Sequence, residues 1–361
     1  MELHRTRCRL GVAAVSAGLL TAAITAPAAS AAPASCQVTN VGTGTQYVGA
    51  NAVSRAIAAA AAGDTIEVSG TCAANVTVTQ DITLVGEGKR ATLDGNRKGR
   101  VLEVAAGTAT LRDLVVRGGK TDAAGGGIRV AAGNAATLIG VEVTANSAGQ
   151  DSFGGGIQAG PGAHLLLVGS SVEGNTAGSS GGIDSDGAVV SLNDSKVSDN
   201  RATHAPSPTG DGCGFGTPLT IFACAGGIWN FLGTLTLVDS TVSHNTAGFR
   251  GGGLRTDAAV DSAGILTGGA TILGGTTTID TNSAGDQGGG IWARVRQSGV
   301  PVDPSIAFLV SDGSGSITDP LTGDPVPAWT GSVTGNTPDQ CFGLNFPTFM
   351  LGTHTCGATF N

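Results

Sequence analysis

Residues 155–200 read GGIQAGPGAHLLLVGSSVEGNTAGSSGGIDSDGAVVSLNDSKVSDN, and this stretch contains two copies of one pattern. Each copy begins with a Gly-Gly-apolar step and ends with a Val-x-x-Asn step. The Gly-Gly-apolar step recurs at 126–128, 155–157, 181–183, 226–228, 252–254 and 289–291. The Asn recurs as Asn146, Asn175, Asn200, Asn245, Asn282 and Asn336, which we call the ladder Asn residues. Self-similarity at such a period indicates a repeat fold.

The repeating unit is about 25 to 29 residues long, with insertions near 201–225, 255–270 and 293–330. Each unit contains short β-branched runs separated by Gly, Asn, Ser and Thr, without the 3.6-residue period of a helix. A strand rises about 3.3 Å per residue, so one unit can travel once around a closed coil and pair in parallel with the next unit. The sequence therefore predicts coils stacked around a continuous apolar interior, which is a parallel β-helix.

Both repeated steps have a predicted structural role. The ladder Asn residues are expected to adopt the left-handed turn conformation and to hydrogen-bond the Asn of neighbouring coils. The Gly-Gly pairs are expected to supply positive φ angles and room for close backbone approach. We therefore interpret these residues as architecture and not as catalytic groups.

The two ends of such a stack need covers, because exposed strand edges invite aggregation. Residues 50–62 are strongly helical, with Val53 and Ile57 one turn apart, and are predicted to cap the N-terminal end. The predicted organisation is a signal peptide at 1–31, an N-terminal cap with this helix at 32–65, the β-helix at 66–340 and a C-terminal cap at 341–361.

The N-terminus has the features of an export signal. Arg5, Arg7 and Arg9 precede an apolar run at 10–24 and a small-residue cleavage site at 29–31. The run is short for a membrane span, so we expect cleavage, a secreted or cell-surface protein and no transmembrane segment in the mature chain. A net charge of −8, without a later run of Lys or Arg, argues against a nucleic-acid partner. We expect a monomer.

Six cysteines remain when Cys8 is excluded, and an even number in an exported protein favours disulfides. Pairing between sequence neighbours is favoured, although other pairings are open: Cys36 with Cys72, Cys213 with Cys224 and Cys341 with Cys356. A metal site is the alternative, but the sequence has no CxxC spacing and no His beside a Cys in a ligand pattern. We predict no metal site.

The opening coils resemble a known superfamily. Gly-Asp-Thr-Ile-Glu-Val at 63–68, Ile-Thr-Leu-Val-Gly at 82–86 and Ala-Thr-Leu-Asp-Gly at 91–95 are similar to those of pectin-lyase-like right-handed β-helix proteins. The repeats at 126–291 resemble polymorphic outer-membrane-type repeats and those of exported bacterial repeat proteins. The expected fold class is all-β, a right-handed parallel β-helix of about ten coils with a short N-terminal capping helix. The superfamily includes lyases, hydrolases, adhesins and structural proteins, so the resemblance implies no single activity.

A candidate binding face follows from the register. If the apolar residue of each Gly-Gly-apolar step points inward, the next residue points outward. These outward residues form a first column: Arg129, Gln158, Asp184, Trp229, Arg255 and Trp292. The residues two positions later form a second column: Ala131, Gly160, Asp186, Phe231, Asp257 and Arg294. Exposed Trp and Phe beside Asp and Arg would suit sugar rings, and the three insertions are expected to border this face. The alternative is a solvated face whose aromatic side chains pack beneath the insertions.

We expect binding by Arg129, Trp229, Phe231, Arg255, Trp292 and Arg294. Catalysis is the alternative. Asp184 and Asp186 lie on one predicted coil and Asp257 lies two coils away, about 10 Å, near the upper limit for the carboxylates of inverting glycosidases. A lyase would need carboxylates that hold Ca²⁺ and a base such as Arg255; otherwise no cofactor is predicted.

The predicted function is a non-enzymatic, adhesin-like protein that binds glycans or other surface polymers. The alternatives are a polysaccharide lyase or glycoside hydrolase acting in the same groove, and a structural surface protein without a ligand.

Overall fold

The computed structural model of the protein describes residues 35–204, 225–261, 265–296, 308–338 and 341–342. Within these ranges the chain is nearly all β, with a single helix, α1 (Ala52–Ala59). Long parallel sheets dominate, which is consistent with a parallel β-helix. None of the helical structure in these ranges has the length and apolar character needed to cross a membrane.

The strands are numbered in chain order. The first group is β1 (Gln37–Asn40), β2 (Thr45–Val48), β3 (Asp64–Ala73), β4 (Val76–Val78), β5 (Ile82–Asp94), β6 (Leu102–Val104), β7 (Thr108–Arg112) and β8 (Leu114–Arg117). The second group is β9 (Ile128–Val130), β10 (Ala135–Ile139), β11 (Glu142–Thr144), β12 (Ile157–Ala159), β13 (His164–Val168), β14 (Ser171–Glu173), β15 (Thr176–Ala177), β16 (Ile183–Asp186), β17 (Val189–Asn193), β18 (Lys196–Ser198) and β19 (Arg201–Ala202). The third group is β20 (Ile228–Phe231), β21 (Thr234–Val238), β22 (Thr241–Ser243), β23 (Thr246–Ala247), β24 (Leu254–Val260), β25 (Leu266–Gly268), β26 (Ala270–Gly274), β27 (Thr278–Asp280), β28 (Ser283–Ala284), β29 (Ile291–Arg296), β30 (Phe308–Val310), β31 (Ser332–Thr334) and β32 (Cys341–Phe342).

Each strand pairs with its equivalent in the next repeat. In the first sheet, β7, β10, β13, β17, β21, β26 and β30 pair successively in parallel, and so do β8, β11, β14, β18, β22, β27 and β31. The second sheet contains β4, β6, β9, β12, β16, β20, β24, β29 and β32 in that order, with β25 paired to β24. The third sheet contains β15, β19, β23 and β28. The chain therefore visits the sheets in turn and returns to each one repeat later.

The predicted interior is confirmed. The apolar residue of every Gly-Gly-apolar step is at most 1% exposed, and all of these residues belong to one continuous core: Ile128, Ile157, Ile183, Ile228, Leu254 and Ile291. The same core contains Leu138, Leu167, Leu192 and Leu237 of the first sheet. Because no single repeat encloses these side chains, stacking of repeats provides the burial that stabilises the fold.

The Gly-Gly pairs allow close backbone approach, as expected. A Cβ added to Gly155 would lie 2.5 Å from the carbonyl oxygen of Gly181 in the next repeat. The predicted positive φ angle is wrong for the pairs themselves, because it falls on the residue before the pair, as in Gly125 (φ 76°) and Gly154 (φ 62°). Glycine is required at these pairs because there is no space for a Cβ atom, and not because the backbone is left-handed there.

The ladder Asn residues form the expected chain of amide hydrogen bonds. Nδ2 of Asn175 donates to Oδ1 of Asn200 at 3.0 Å, and the backbone N–H of Asn175 donates to the same oxygen at 3.0 Å. Equivalent side-chain bonds join each successive pair from Asn146 to Asn336. The predicted left-handed conformation is wrong here too, because the preceding residue adopts it: Ala145, Gly174, Asp199, His244, Thr281 and Gly335.

A second ladder, of hydroxyl groups, was not evident from the repeat. The backbone N–H groups of Val141, Ser170 and Ser195 donate to the side-chain oxygens of Ser170, Ser195 and Ser240 respectively, each at 3.1 Å. Ser240 continues the series to Thr277. Since Ser and Thr are abundant throughout the chain, this column is recognisable only once the strands are in register.

The predicted N-terminal cap region contains the expected helix. Helix α1 lies within residues 50–62 and buries Val53 and Ile57, while β1 pairs antiparallel with both β2 and β3. The Cys36–Cys72 disulfide joins this cap to the first repeat. Cys341 is also disulfide-bonded. Cys213, Cys224 and Cys356 lie outside the described residues.

The insertions do not all border the candidate face. Residues 308–330 lie against the first sheet instead: the indole Nε1 of Trp329 donates to the carbonyl of Thr277, and Ser191 hydrogen-bonds Asp319. The insertion at 255–270 extends β24 and folds back as β25. Most of 201–225 lies outside the described residues. The expectation of three bordering insertions is therefore wrong for the described segment 308–330, while residues 297–307 lie outside the described residues.

Candidate functional site

The predicted columns are in register along the second sheet. Parallel pairing aligns the first column directly, from Arg129 through Gln158, Asp184, Trp229 and Arg255 to Trp292. Four members of the second column also align: Asp186, Phe231, Asp257 and Arg294. Since residues in register are about 4.8 Å apart in neighbouring strands, adjacent members can contact one another.

The expected exposure of the aromatic residues is wrong. Trp229 and Trp292 are each 4% exposed, Arg255 is 1% exposed, and Asp257 is fully buried. Phe231 and Arg294 are partly exposed. The two Trp side chains are therefore packing elements and do not offer open ring faces to a sugar.

Asp257 is the centre of a buried ion cluster. Its carboxylate accepts hydrogen bonds from Nε of Arg255 at 2.5 Å, from Nε of Arg294 at 2.8 Å and from Nε1 of Trp229 at 2.9 Å. Burial alone would raise the pKa of Asp257, but the two guanidinium groups and the indole outweigh it and lower the pKa to about 2. A charged, fully hydrogen-bonded carboxylate is unsuited to proton transfer.

The guanidinium of Arg255 also lies between the two Trp rings. Its Cζ is 4.1 Å from the ring centroid of Trp292 and 5.4 Å from that of Trp229. Such cation–π contacts strengthen when they are desolvated. Arg255, which the sequence analysis offered as a lyase base, instead contacts Asp257 and both Trp rings and so stabilises this end of the face.

A second ion cluster lies at the other end of the face. Glu103 of β6 aligns with Arg129 and bonds to it, and Nη1 of Arg100 donates to Glu103 at 2.7 Å. Arg129, a predicted binding residue, therefore already has a carboxylate partner. Glu103 could have been identified from the sequence. The β-branched run at 101–104 continues the first column upstream of Arg129, although it lacks the preceding Gly-Gly pair.

Between the two clusters lies a pocket with about 180 Å³ of space for water-sized molecules. Its lining residues are Ala124, Arg129, Phe153, Gln158, Asp184, Asp186, Trp229 and Phe231. The rings of Phe153 and Trp229 have centroids 5.5 Å apart, and those of Trp229 and Phe231 are 5.7 Å apart. The site predicted as an extended face is therefore a confined pocket around its central members.

Two carboxyl groups lack partners in this pocket. Within the described residues, neither Asp184 nor Asp186 forms a hydrogen bond or ion pair, although Asp184 is only 4% exposed. Burial raises the pKa of Asp184 well above its usual range, and the neighbouring charge of Asp186 raises it further. Burial also raises the pKa of Asp186. The pair is therefore poised to hold a proton or to bind a cation.

Gln158 and Phe153 are pocket residues that sequence reasoning did not select. Gln158 is 7% exposed, and its Oε1 has no hydrogen-bond partner within the described residues. Gln158 belongs to the first column, so its position could be predicted from the sequence. An amide side chain by itself did not indicate a function. Phe153 lies before a Gly-Gly step and outside both columns, so only tertiary structure brings it to the pocket.

Replacing Asp184 by Asn is expected to stabilise the protein at neutral pH. Because the folded-state pKa of Asp184 is raised, the native protein loses stability as the pH rises above the ordinary aspartate pKa of about 3.9. The variant has no such loss. Its Tm should exceed that of the wild type by a few degrees at pH 7 and equal it below about pH 4. Scanning calorimetry across this range measures the difference; a lower Tm at pH 7 would contradict the assignment.

Within the described residues, no group of three or more His, Cys, Asp and Glu side chains is arranged to hold a metal ion. Comparison with known proteins adds no relative: no family model, curated protein or solved structure matches this chain. No matching family therefore supports the resemblance to pectin-lyase-like proteins. The geometry of the pocket is what indicates a function.

Proposed function

We propose that the protein is an exported or cell-surface, right-handed parallel β-helix of about ten coils that binds glycans or other surface polymers without cleaving them. The pocket between the two ion clusters carries this proposal, because it combines partly exposed aromatic surface with unpaired carboxyl groups. Ligand pockets typically join apolar walls with a few convergent polar groups.

The binding residues differ from those favoured by the sequence alone. Phe231, which is partly exposed, supplies the accessible aromatic surface, while Asp184, Asp186 and Gln158 supply polar contacts. Trp229 packs against the ring of Phe231 and so holds that ring in the lining of the pocket. Trp292, Arg255 and Arg294 belong to the buried ion cluster and act by holding the face rigid. A rigid, preorganised site loses less entropy when it binds.

A pectin-lyase-like assignment is part of the proposal. It is supported by the succession of parallel strands, by the N-terminal helical cap and by a pocket on the outer face of one sheet. It adds no activity by itself, since a fold of this kind hosts several functions.

A glycoside hydrolase is the second candidate, and the raised pKa values of Asp184 and Asp186 favour it. A buried, protonated carboxyl group is suited to act as a general acid towards a glycosidic oxygen. Asp257 cannot complete such a pair while it accepts bonds from two Arg residues, so any hydrolase would use the two pocket carboxyl groups alone. A lyase is less favoured, because Arg255 is buried and bonded to Asp257.

Binding and cleavage can be separated with one panel of acidic, neutral and amino polysaccharides. We expect at least one polymer to bind without release of reducing ends or unsaturated products, and we expect Phe231→Ala to weaken that binding at least about tenfold. The matched control is Glu87→Gln, which changes an exposed carboxylate of β5 in the first sheet. Released products that disappear in Asp184→Asn would establish the hydrolase. If no polymer binds and no product is released, both proposed functions are rejected and a structural surface protein without a ligand is the remaining alternative.

A further inference from the structure

Each end of the second sheet has one carboxylate with two guanidinium partners, whereas the two carboxyl groups in the middle have no basic partner within the described residues. Glu103 has Arg100 and Arg129 as partners, and Asp257 has Arg255 and Arg294. Asp184 and Asp186 lie between these clusters, and no basic side chain within the described residues pairs with them. The one guanidinium in the pocket, that of Arg129, is bonded to Glu103. The repeat therefore leaves two carboxyl groups where a positive charge would be accommodated.

The surroundings of the acid pair have the chemistry of an ammonium site. Phe153, Trp229 and Phe231 contribute aromatic rings to the lining, and the faces of such rings attract organic cations. The buried Oε1 of Gln158, which has no hydrogen-bond partner within the described residues, is an acceptor that can take an N–H bond from a ligand. Together these groups supply charge, an acceptor and a ring surface within one small pocket.

We propose that this pocket binds an organic ammonium group, and that its polymer ligand is an amino-sugar glycan. The inference rests on the proposed glycan-binding function and names the class of glycan. The carboxyl groups of Asp184 and Asp186 neutralise the ammonium charge, Gln158 accepts an N–H bond and Phe231 packs against the sugar ring.

A metal ion fits the same site less well. Ca²⁺ takes about six to eight oxygen ligands, whereas this pocket offers two carboxyl groups and one amide oxygen beside aromatic carbon. Aromatic surface contributes nothing to calcium coordination, but it contributes directly to the binding of a weakly hydrated organic cation.

Proton release should accompany binding. Burial and the charge of Asp186 raise the pKa of Asp184, so an incoming cation, which favours the ionised carboxyl groups, should displace protons. The titratable and charged side chains lining the pocket are Asp184, Asp186 and Arg129. Affinity for a cation whose charge does not depend on pH should therefore rise with pH as the two carboxyl groups lose protons.

The test is calorimetric titration of the purified protein with three probes: glucosamine oligomers, the matched N-acetylglucosamine oligomers and tetramethylammonium chloride. We expect the glucosamine oligomers to bind, the N-acetylated oligomers to bind at least about tenfold more weakly, and tetramethylammonium to compete. Tetramethylammonium carries no proton, so titration in buffers of different ionisation enthalpy reports protons released by the protein alone.

Variants connect the signal to the pocket. Asp184→Asn and Asp186→Asn should each weaken glucosamine-oligomer binding at least about tenfold and reduce the pH dependence of tetramethylammonium binding, while Glu87→Gln should bind as the wild type does. Because Asp184→Asn is expected to be more stable than the wild type, its loss of binding cannot be attributed to unfolding.

The outcomes separate the two proposals. Equal binding of both oligomers, without competition by tetramethylammonium, would overturn the ammonium site and leave the glycan-binding function standing. Binding of tetramethylammonium without binding of any oligosaccharide would support the ammonium site and overturn the glycan function. If none of the probes binds and the polysaccharide panel is also negative, both proposals fail.

Discussion

Replacing Asp257 by Asn is expected to lower the free energy of unfolding by about 3–5 kcal/mol, as measured by urea denaturation at pH 7. The carboxylate is fully buried and accepts hydrogen bonds from Arg255, Arg294 and Trp229. An amide at this position is neutral, so the guanidinium of Arg255, itself 1% exposed, would remain charged without its principal partner. Removing one member of a buried ion pair is costly because the other must stay desolvated.

The pH dependence provides an independent check on Asp257. Its pKa is depressed from about 3.8 to about 2 in the folded protein, so its stabilisation is fully present above about pH 4 and is lost as the pH falls towards 2. A shift of this size corresponds to roughly 2 kcal/mol. The wild type should therefore lose stability through this window, and Asp257→Asn should lose less.

A matched control is Asp286→Asn. Asp286 accepts a hydrogen bond from Nε of Arg250 at 3.1 Å, but its side chain is 40% exposed. Exposed ion pairs contribute about 0–1 kcal/mol, so this variant should unfold almost as the wild type does. If both variants lost similarly little stability, the buried cluster would not be the support that we describe.

Replacing Asn200 by Ala is expected to cost about 4 kcal/mol or more. The Asn200 side chain takes part in four buried hydrogen bonds: from the N–H and the Nδ2 of Asn175, and to the carbonyl of Val172 and the Oδ1 of Asn245. Alanine removes all four, and each buried polar group left unsatisfied costs about 1–3 kcal/mol. Urea denaturation gives the difference directly.

Asn134→Ala is the control for this substitution. The amide of Asn134 also bonds to backbone carbonyl groups, at 3.0–3.3 Å, but the residue lies in a partly exposed turn outside the ladder. Water can replace those bonds, so the loss should stay below about 1 kcal/mol. Equal losses in the two variants would mean that the amide ladder adds nothing to stability beyond an ordinary turn.

Asp257 and Asn200 stabilise the scaffold, whereas the two carboxyl groups in the pocket between the ion clusters lower the stability of the folded protein. Within the described residues, Asp184 and Asp186 have no hydrogen-bond or ion-pair partner, although their strand pairs in parallel with both of its neighbours. Their burial lowers stability at neutral pH, and Asp184→Asn should recover it. A residue whose replacement stabilises the protein while weakening binding is the usual signature of a functional site.

The site was partly predictable from the sequence. The register argument placed Arg129, Asp184, Trp229 and Arg255 in one column, and their strands pair in that order. What failed was the inference from outward direction to exposure. An outward side chain can still be buried by the side chains around it, as Trp229 is by Phe153, Phe231 and Asp257.

The amino-acid order alone was enough to establish the repeat, its parallel pairing, the buried Ile and Leu positions and the Asn ladder. It could do so because stacking equivalent residues in successive units is a direct consequence of periodicity. Which outward charges were already paired could be seen only in the folded protein, since those contacts join residues such as Trp229 and Asp257 or Arg294 and Asp257 across separate repeats. Ionisation, burial and access to a pocket depend on all neighbours at once, and no single column of residues contains that information.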